Sequence, residues 1–140
     1  HQTDYTVPYD GINDLLNVLR EKGVNTAIVS NKKDSNVKAL AKHFFPHNIL
    51  YACGTVDFAK RKPNPFLLDE TIKHFGAQKS NVLYVGDSEN DLLAAKNANV
   101  DCVCVSYGFR SREQLKGFGA DIIVDNAKEI LKYINEKEKN

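Results

Sequence analysis

The chain has 140 residues, 42% of them apolar and 26% charged, the proportions of a single ordinary globular domain. A net charge of +1 gives no basic surface for nucleic acid, and no apolar run approaches the length of a membrane span. Neither partner is therefore expected. Three cysteines, Cys53, Cys102 and Cys104, sit in apolar, strand-like runs. An odd set of this kind points to packing in a reducing cytoplasm, and Cys102 and Cys104 alternate onto one strand face, a poor geometry for a disulfide. The chain contains no methionine, so His1 is not expected to be the encoded start; a processed product or a piece of something longer is expected.

Taken in order, residues 1–10 read as a polar hinge or linker. Residues 11–22 carry Ile12, Leu15, Leu16 and Leu19 at helical spacing, with Gly23 as the stop. Residues 26–29 read as a buried strand that delivers Ser30 and Asn31 to its carboxyl end. Asp34 or Ser35 is expected to cap the next helix, with Val37, Leu40, Ala41 and Phe44 inward. Residues 49–53 read as a strand and 54–62 as irregular. Pro63 and Pro65 lead into a helix through Phe75, with Phe66, Leu67, Ile72 and Phe75 on its core side.

The apolar run 82–85 reads as a buried parallel strand ending at Gly86, which is expected to permit a tight turn. A helix follows over 87–97, with Leu92, Leu93, Ala94, Ala95 and Ala98 available to its inner side. Residues 100–105 form a further strand, followed by a loop with Gly108 and Arg110. Ser111 and Gln114 are spaced like a capping box. A last strand over 121–124 and a helix over 127–134 complete the pattern. Strands alternate with helices throughout, the signature of parallel βαβ units. The fold class is therefore α/β with a doubly wound parallel sheet. Its core is expected over 11–135 and a frayed tail over 136–140.

Such a sheet gathers the carboxyl ends of its strands along one edge, where ligands bind. Reading those ends gives Ser30-Asn31, then Lys62 before Pro63, then Asp87-Ser88. Asp91 lies one helical turn beyond Asp87, so both carboxylates can face one spot. Two carboxylates about 4 Å apart repel by roughly 4 kcal/mol at an intermediate dielectric, which a divalent cation relieves. Oxygen-only ligands at a phosphate site suit Mg²⁺. Ser30 and the Asn31 backbone N–H can donate to a phosphoryl oxygen, and Lys62 offers a compact positive charge.

Together these residues carry a resemblance. Val29-Ser30-Asn31-Lys32, Lys62-Pro63-Asn64-Pro65 and Tyr84-Val85-Gly86-Asp87-Ser88-Glu89-Asn90-Asp91 resemble the core domain of the haloacid dehalogenase-like hydrolase superfamily, in its phosphoglycolate phosphatase-like branch. Ala94-Ala95-Lys96-Asn97-Ala98 and Ser106-Tyr107-Gly108 support the match, which extends from Tyr9 over nearly the whole chain. The resemblance implies a Rossmann-like fold and a Mg²⁺-dependent phosphatase of a phosphorylated small molecule that works through an aspartyl-phosphate. It implies that Ser30, Asn31 and Lys62 bind the phosphoryl group, that Lys62 and Asp87 serve catalysis, and that Asp87 and Asp91 form the metal-binding pair.

The family's first motif, Asp-x-Asp followed by Gly-Thr, has no counterpart in the 140 residues, and neither has its helical cap. The motif supplies the nucleophile and the general acid, so little or no phosphatase activity is expected of these residues alone. In the family's sheet order the absent strand lies between the Ser30 strand and the Asp87 strand. Two apolar edges facing across a gap are expected, and with them a complementing segment or chain, an oligomer formed by strand donation, or a rearranged sheet. The alternative reading is a catalytically silent module of the same fold that binds a phosphorylated ligand or a partner protein. A receiver-like phosphoacceptor would hold its acids near the first strand and a lysine near the last, the reverse of this order.

Overall fold

The computed structural model describes residues 11–107 and 110–138, so the expected linker and Gly108 lie outside the described residues. The elements run α1 (Ile12–Glu21), β1 (Ala27–Lys33), α2 (Asp34–Phe44), β2 (Tyr51–Thr55), α3 (Phe66–Phe75), β3 (Leu83–Gly86), α4 (Glu89–Ala98), β4 (Asp101–Val105), α5 (Arg112–Gly117), β5 (Ile123–Val124) and α6 (Ala127–Glu138). Short 3₁₀ turns at Phe58–Lys60 and Lys79–Asn81 precede α3 and β3. No helix among the described residues is long and apolar enough to cross a membrane.

The two-residue period of the strands decides which helix covers which face. On β4, Val103 and Val105 point to one side, where they pack with Leu15 and Leu19 of α1, Val124 of β5 and Ala127 and Ile130 of α6. Cys102 points to the other side, against Ala94, Ala95 and Ala98 of α4 and Leu68 of α3. On β3 the same alternation sends Leu83 to the first cluster and Tyr84 to the second. Helices therefore cover both faces of a parallel sheet, the doubly wound arrangement that the alternating pattern implies.

All pairings are parallel: β1 with β2, β3 with β4, and β4 with β5. They form two separate sheets, ordered β1-β2 and β3-β4-β5. Among the described residues β1 and β3 thus each keep an unpaired edge, and Val85 in β3 is 40% exposed. Val29 of β1 nevertheless packs on the same α3–α4 cluster as Tyr84 of β3, so one helical layer spans both sheets.

Several local expectations are corrected. The first strand does not stop at Val29; it runs to Lys33 and takes in Ser30 and Asn31, with an irregular register against β2 after Val29. The stretch expected to be irregular contributes Gly54 and Thr55 to β2. Neither Asp34 nor Ser35 caps α2, whose cap position is Lys33. Asp34 instead opens the helix, and its carboxylate accepts the Gly54 N–H at 2.9 Å and Lys38 at 2.6 Å. The Lys38 bond first, and then the Gly54 bond, hold the Asp34 carboxyl below its ordinary value. A depressed carboxyl pKa stabilises the fold above the ordinary carboxylate range, and that contribution is lost as pH falls through the folded value.

Leu93 faces solvent at 45% exposure, whereas Leu68, which the helical reading of α3 passed over, is buried at 3%. The last helix continues past Ile134 to Glu138, into the stretch expected to fray. The capping box is present: Ser111 Oγ accepts the Gln114 N–H at 3.2 Å, and Gln114 Oε1 accepts the Ser111 N–H at 3.0 Å. All three cysteines are free.

The core assignment predicts contrasting costs for two leucines. Leu115 is fully buried, so Leu115→Ala should destabilise by about 2–5 kcal/mol. Leu93→Ala should stay within about 0.5 kcal/mol. Urea unfolding of both variants checks the pair.

Candidate functional site

Asn31 of β1, Tyr84 of β3, Asp91 of α4 and the loop before α3 meet through hydrogen bonds. Lys62 lies at their centre. Its ammonium donates to Asp91 Oδ1 at 2.6 Å, to the Tyr84 hydroxyl at 2.7 Å and to the Val29 carbonyl at 3.4 Å. The side chains of Lys62 and Asp91 are only 10% and 7% exposed, so this is a buried ion pair. Taking both charges out of water costs several kcal/mol each, repaid only when the geometry is good and the remaining lone pairs are satisfied.

Asp91 meets that condition. Tyr84 donates its hydroxyl to Asp91 Oδ1 at 2.8 Å, and Asp91 Oδ2 accepts the Asp87 N–H at 2.9 Å and the Ser88 hydroxyl at 3.2 Å. Burial pushes the Asp91 carboxyl upward; the charge and hydrogen bond of Lys62, followed by the bonds from Asp87 and Tyr84, outweigh it and bring the carboxyl below its ordinary value. Burial, then the nearby Asp91, push the Tyr84 phenol well above its ordinary value, so it stays protonated and keeps its donor.

Gly86 makes room for this carboxylate. It does not occupy the left-handed region that its expected tight turn would have used. A Cβ at Gly86 would instead lie 2.3 Å from the Asp91 Cβ. The glycine is needed for close approach: it lets the first turn of α4 lay Asp91 across the end of β3.

The second strand end serves the same lysine. Asn31 Oδ1 accepts the Lys62 N–H at 2.7 Å, and Asn31 Nδ2 donates to the Lys62 carbonyl at 3.0 Å. Thr55 of β2 donates to the Asn31 carbonyl at 2.6 Å, and Asn97 of α4 donates to the Pro63 carbonyl at 3.1 Å. The backbone of the loop is thus gripped from β1 and from α4. Ser30 Oγ accepts the Lys32 N–H at 3.2 Å.

Of the residues the sequence singled out, Lys62, Asp91 and Asn31 meet through direct hydrogen bonds, and Asp87 joins through its backbone N–H. Ser30 follows Val29, whose carbonyl Lys62 reaches, but Ser30 itself bonds back along its own strand. No group of three or more histidine, cysteine or acidic side chains gathers among the described residues. Besides Thr55 and Asn97, the sequence reading missed two further residues that bind here. One is Tyr84. The other is Arg110, whose N–H donates to the Asp87 carbonyl at 3.1 Å and whose guanidinium donates to Glu89 at 3.1 Å, fastening the loop after β4 onto the turn.

A family model described as haloacid dehalogenase-like hydrolase matches residues 1–105. The chain belongs to that family. Among hydrolases of this kind, the chain is 32% identical over 132 residues to a phosphoglycolate phosphatase of Aliivibrio fischeri, covering 94% of this chain and 57% of that protein. It is 28% identical over 138 residues to the pyrophosphatase PpaX of Halalkalibacterium halodurans, covering 98% of this chain and 64% of that protein. A crystal structure of a candidate phosphoglycolate phosphatase from Lactobacillus delbrueckii superimposes with a TM-score of 0.87 at 39% identity, over 91% of this chain and 53% of that one. The chain therefore spans only about half to two-thirds of the length of these relatives.

The buried pair predicts an inversion of pH dependence. Lys62→Met leaves the Asp91 charge buried with neutral donors alone, at a cost of about 3–5 kcal/mol. Burial, the largest influence on Asp91, then raises its carboxyl pKa. A raised carboxyl pKa stabilises the fold at low pH and ceases to as pH rises through the folded value. The Asp91 contribution should therefore change sign, so that falling pH favours the fold of the variant relative to that of the parent chain, as read by denaturant unfolding of both across a pH series.

Proposed function

We propose that the chain belongs to a magnesium-dependent phosphomonoester hydrolase, phosphoglycolate phosphatase-like, that works through an aspartyl-phosphate. The observation that carries this reading is the buried Lys62, its ammonium held by Asp91 and its backbone by Asn31, where the ends of β1 and β3 converge. Family membership and relatives described as phosphatases support it.

In this reading Ser30 and the Asn31 N–H bind the phosphoryl oxygens, and Lys62 offsets the charge that develops on them. The donor set suits magnesium, which takes one or two carboxylates and fills its remaining positions with water and phosphate oxygens. Asp87 would hold the ion. Asp91, whose two oxygens already accept four donors, would support it through water. The ion would supply Lewis-acid stabilisation of the phosphoryl oxygens. A carboxylate attacks phosphorus, the ester oxygen leaves and takes a proton, and water then releases phosphate from the acyl phosphate.

That nucleophile and that acid are not among the residues that converge here, because the 140 residues contain no Asp-x-Asp. Uncatalysed hydrolysis of phosphate monoesters is slow enough to need accelerations of up to about 10²¹-fold. The substrate is a phosphorylated small molecule. A family neighbour from Rhodobacter sphaeroides, the protein CbbY, was solved in complex with xylulose-1,5-bisphosphate, which supports that class; it superimposes with a TM-score of 0.72 at 27% identity. The three free thiols suit a reducing cytoplasm. The unpaired edges of β1 and β3 suit a complementing strand, from a further segment or from a second copy.

Two measurements test the reading. The isolated 140 residues should release almost no p-nitrophenol from p-nitrophenyl phosphate. The encoded protein that contains them should do so with Mg²⁺, stop on chelation, and lose at least about 10²-fold in kcat on Asp87→Asn, the scale of one electrostatic group. Strand donation between copies further predicts a sedimenting mass above the monomer for the pure chain. A compact monomer would remove that arm of the reading.

A further inference from the structure

Tyr84 sits inside the ion pair. Its hydroxyl accepts from Lys62 at 2.7 Å and donates to Asp91 Oδ1 at 2.8 Å, while Lys62 reaches the same oxygen at 2.6 Å. The three groups close a ring of hydrogen bonds, and each member touches both others. Sheet register fixes the phenol: Tyr84 stands opposite Cys102 of β4 and packs on the cluster of Leu68, Ala94, Ala95 and Ala98.

An ammonium has three N–H donors. Two are held in this ring. The third points to the Val29 carbonyl at 3.4 Å, the longest of the three contacts, at the strand end just before Ser30. A lysine on its flexible four-carbon stem would otherwise spread over many rotamers. The ring settles two donors and leaves the third, the weakest held, to be exchanged for a ligand oxygen. The phenol cannot ionise near neutral pH, so the ring does not open by loss of the Tyr84 proton.

We propose that Tyr84 is a positioning residue for Lys62: its hydroxyl fixes the ammonium against Asp91 so that the remaining N–H is presented to a phosphoryl oxygen. This rests on the phosphatase reading for the identity of the ligand, and on the ring alone for the positioning.

Tyr84→Phe removes the hydroxyl and keeps the ring that packs on α3 and α4. In the full 140-residue chain with ¹⁵N-labelled lysine, the Lys62 ammonium should give a slowly exchanging proton signal at low temperature. In Tyr84→Phe its exchange with water should rise at least about tenfold, since one of two short bonds is gone. Unchanged exchange in a folded variant would overturn the proposal. Should the variant not fold, the parent chain decides: a Tyr84 hydroxyl proton must appear, with a nuclear Overhauser contact to the Lys62 ammonium, and its absence overturns the proposal equally.

Inorganic phosphate titrated with Mg²⁺ provides the second arm, followed on the same ammonium signal. The variant should bind phosphate about tenfold more weakly than the parent, the size of effect set by one lost orienting hydrogen bond. Equal affinity would count against positioning. A parent chain whose ammonium ignores phosphate would count against the phosphatase reading, and the exchange measurement would still decide the role of Tyr84.

Discussion

The buried pair of Lys62 and Asp91 is the constraint on which the rest of the site depends. Its two side chains come from a loop and from a helix, with α3 and β3 between them in the chain, and their charges lie in a poorly solvated place. A charge there is tolerable only if every oxygen and every N–H has a partner. The donors that satisfy Asp91 are the N–H of Asp87, the hydroxyls of Ser88 and Tyr84, and Lys62 itself. Satisfying one carboxylate therefore fixes the end of β3, the start of α4 and the tip of the lysine at once. Buried pairs are weak sources of net stability. What this one provides is a cation held in a defined place.

The same pair crosses the division between the two sheets. β1 and β2 share no hydrogen-bonded ladder with β3, β4 and β5. Three kinds of contact hold them together instead. Val29 and Tyr84 pack on a common layer from α3 and α4. Lys62 reaches the Val29 carbonyl on one side and Asp91 on the other. Asn31 of β1 grips the backbone of the loop that carries the lysine. The relative placement of the sheets and the geometry of the site are thus one problem, solved by the same side chains.

Much of this was legible before any coordinates. Alternating apolar runs fixed the parallel α/β class, because a period of two and a period of 3.6 bury different residues. The spacing of Asp87 and Asp91, and the place of Lys62 before a proline, located the polar cluster. Other features were hidden for physical reasons. Tyr84 reads as a strand aromatic; its period gives the face it occupies, and nothing local says that its hydroxyl has a buried acceptor. Gly86 reads as a turn glycine, since a close approach by a side chain five residues on leaves no trace in spacing. Leu93 lies in a run of Leu-Leu-Ala-Ala, where small and large apolar residues occur on every side and the inward face is poorly marked. Asp34 reads as a cap, but a donor from a neighbouring strand took its carboxylate.

The outcome for Asn31 changes how anion binding at this edge should be pictured. Its carboxamide is spent on the Lys62 peptide, with both its donor and its acceptor engaged. What the β1 end can still present is backbone N–H and the Ser30 hydroxyl, which now accepts from Lys32 and retains its own proton to give. The Lys62 ammonium brings positive charge here already matched by one buried carboxylate. The Lys62–Asp91 pair is by itself close to neutral, which limits the cost of keeping it buried. On the proposed phosphatase reading, a further cation at the β3 end would make the site strongly attractive to a phosphoryl group. On that reading the lysine would orient the anion and a bound metal would supply most of the charge that holds it, so that binding of a phosphate ester and binding of magnesium would be coupled by the electrostatics of the same pocket.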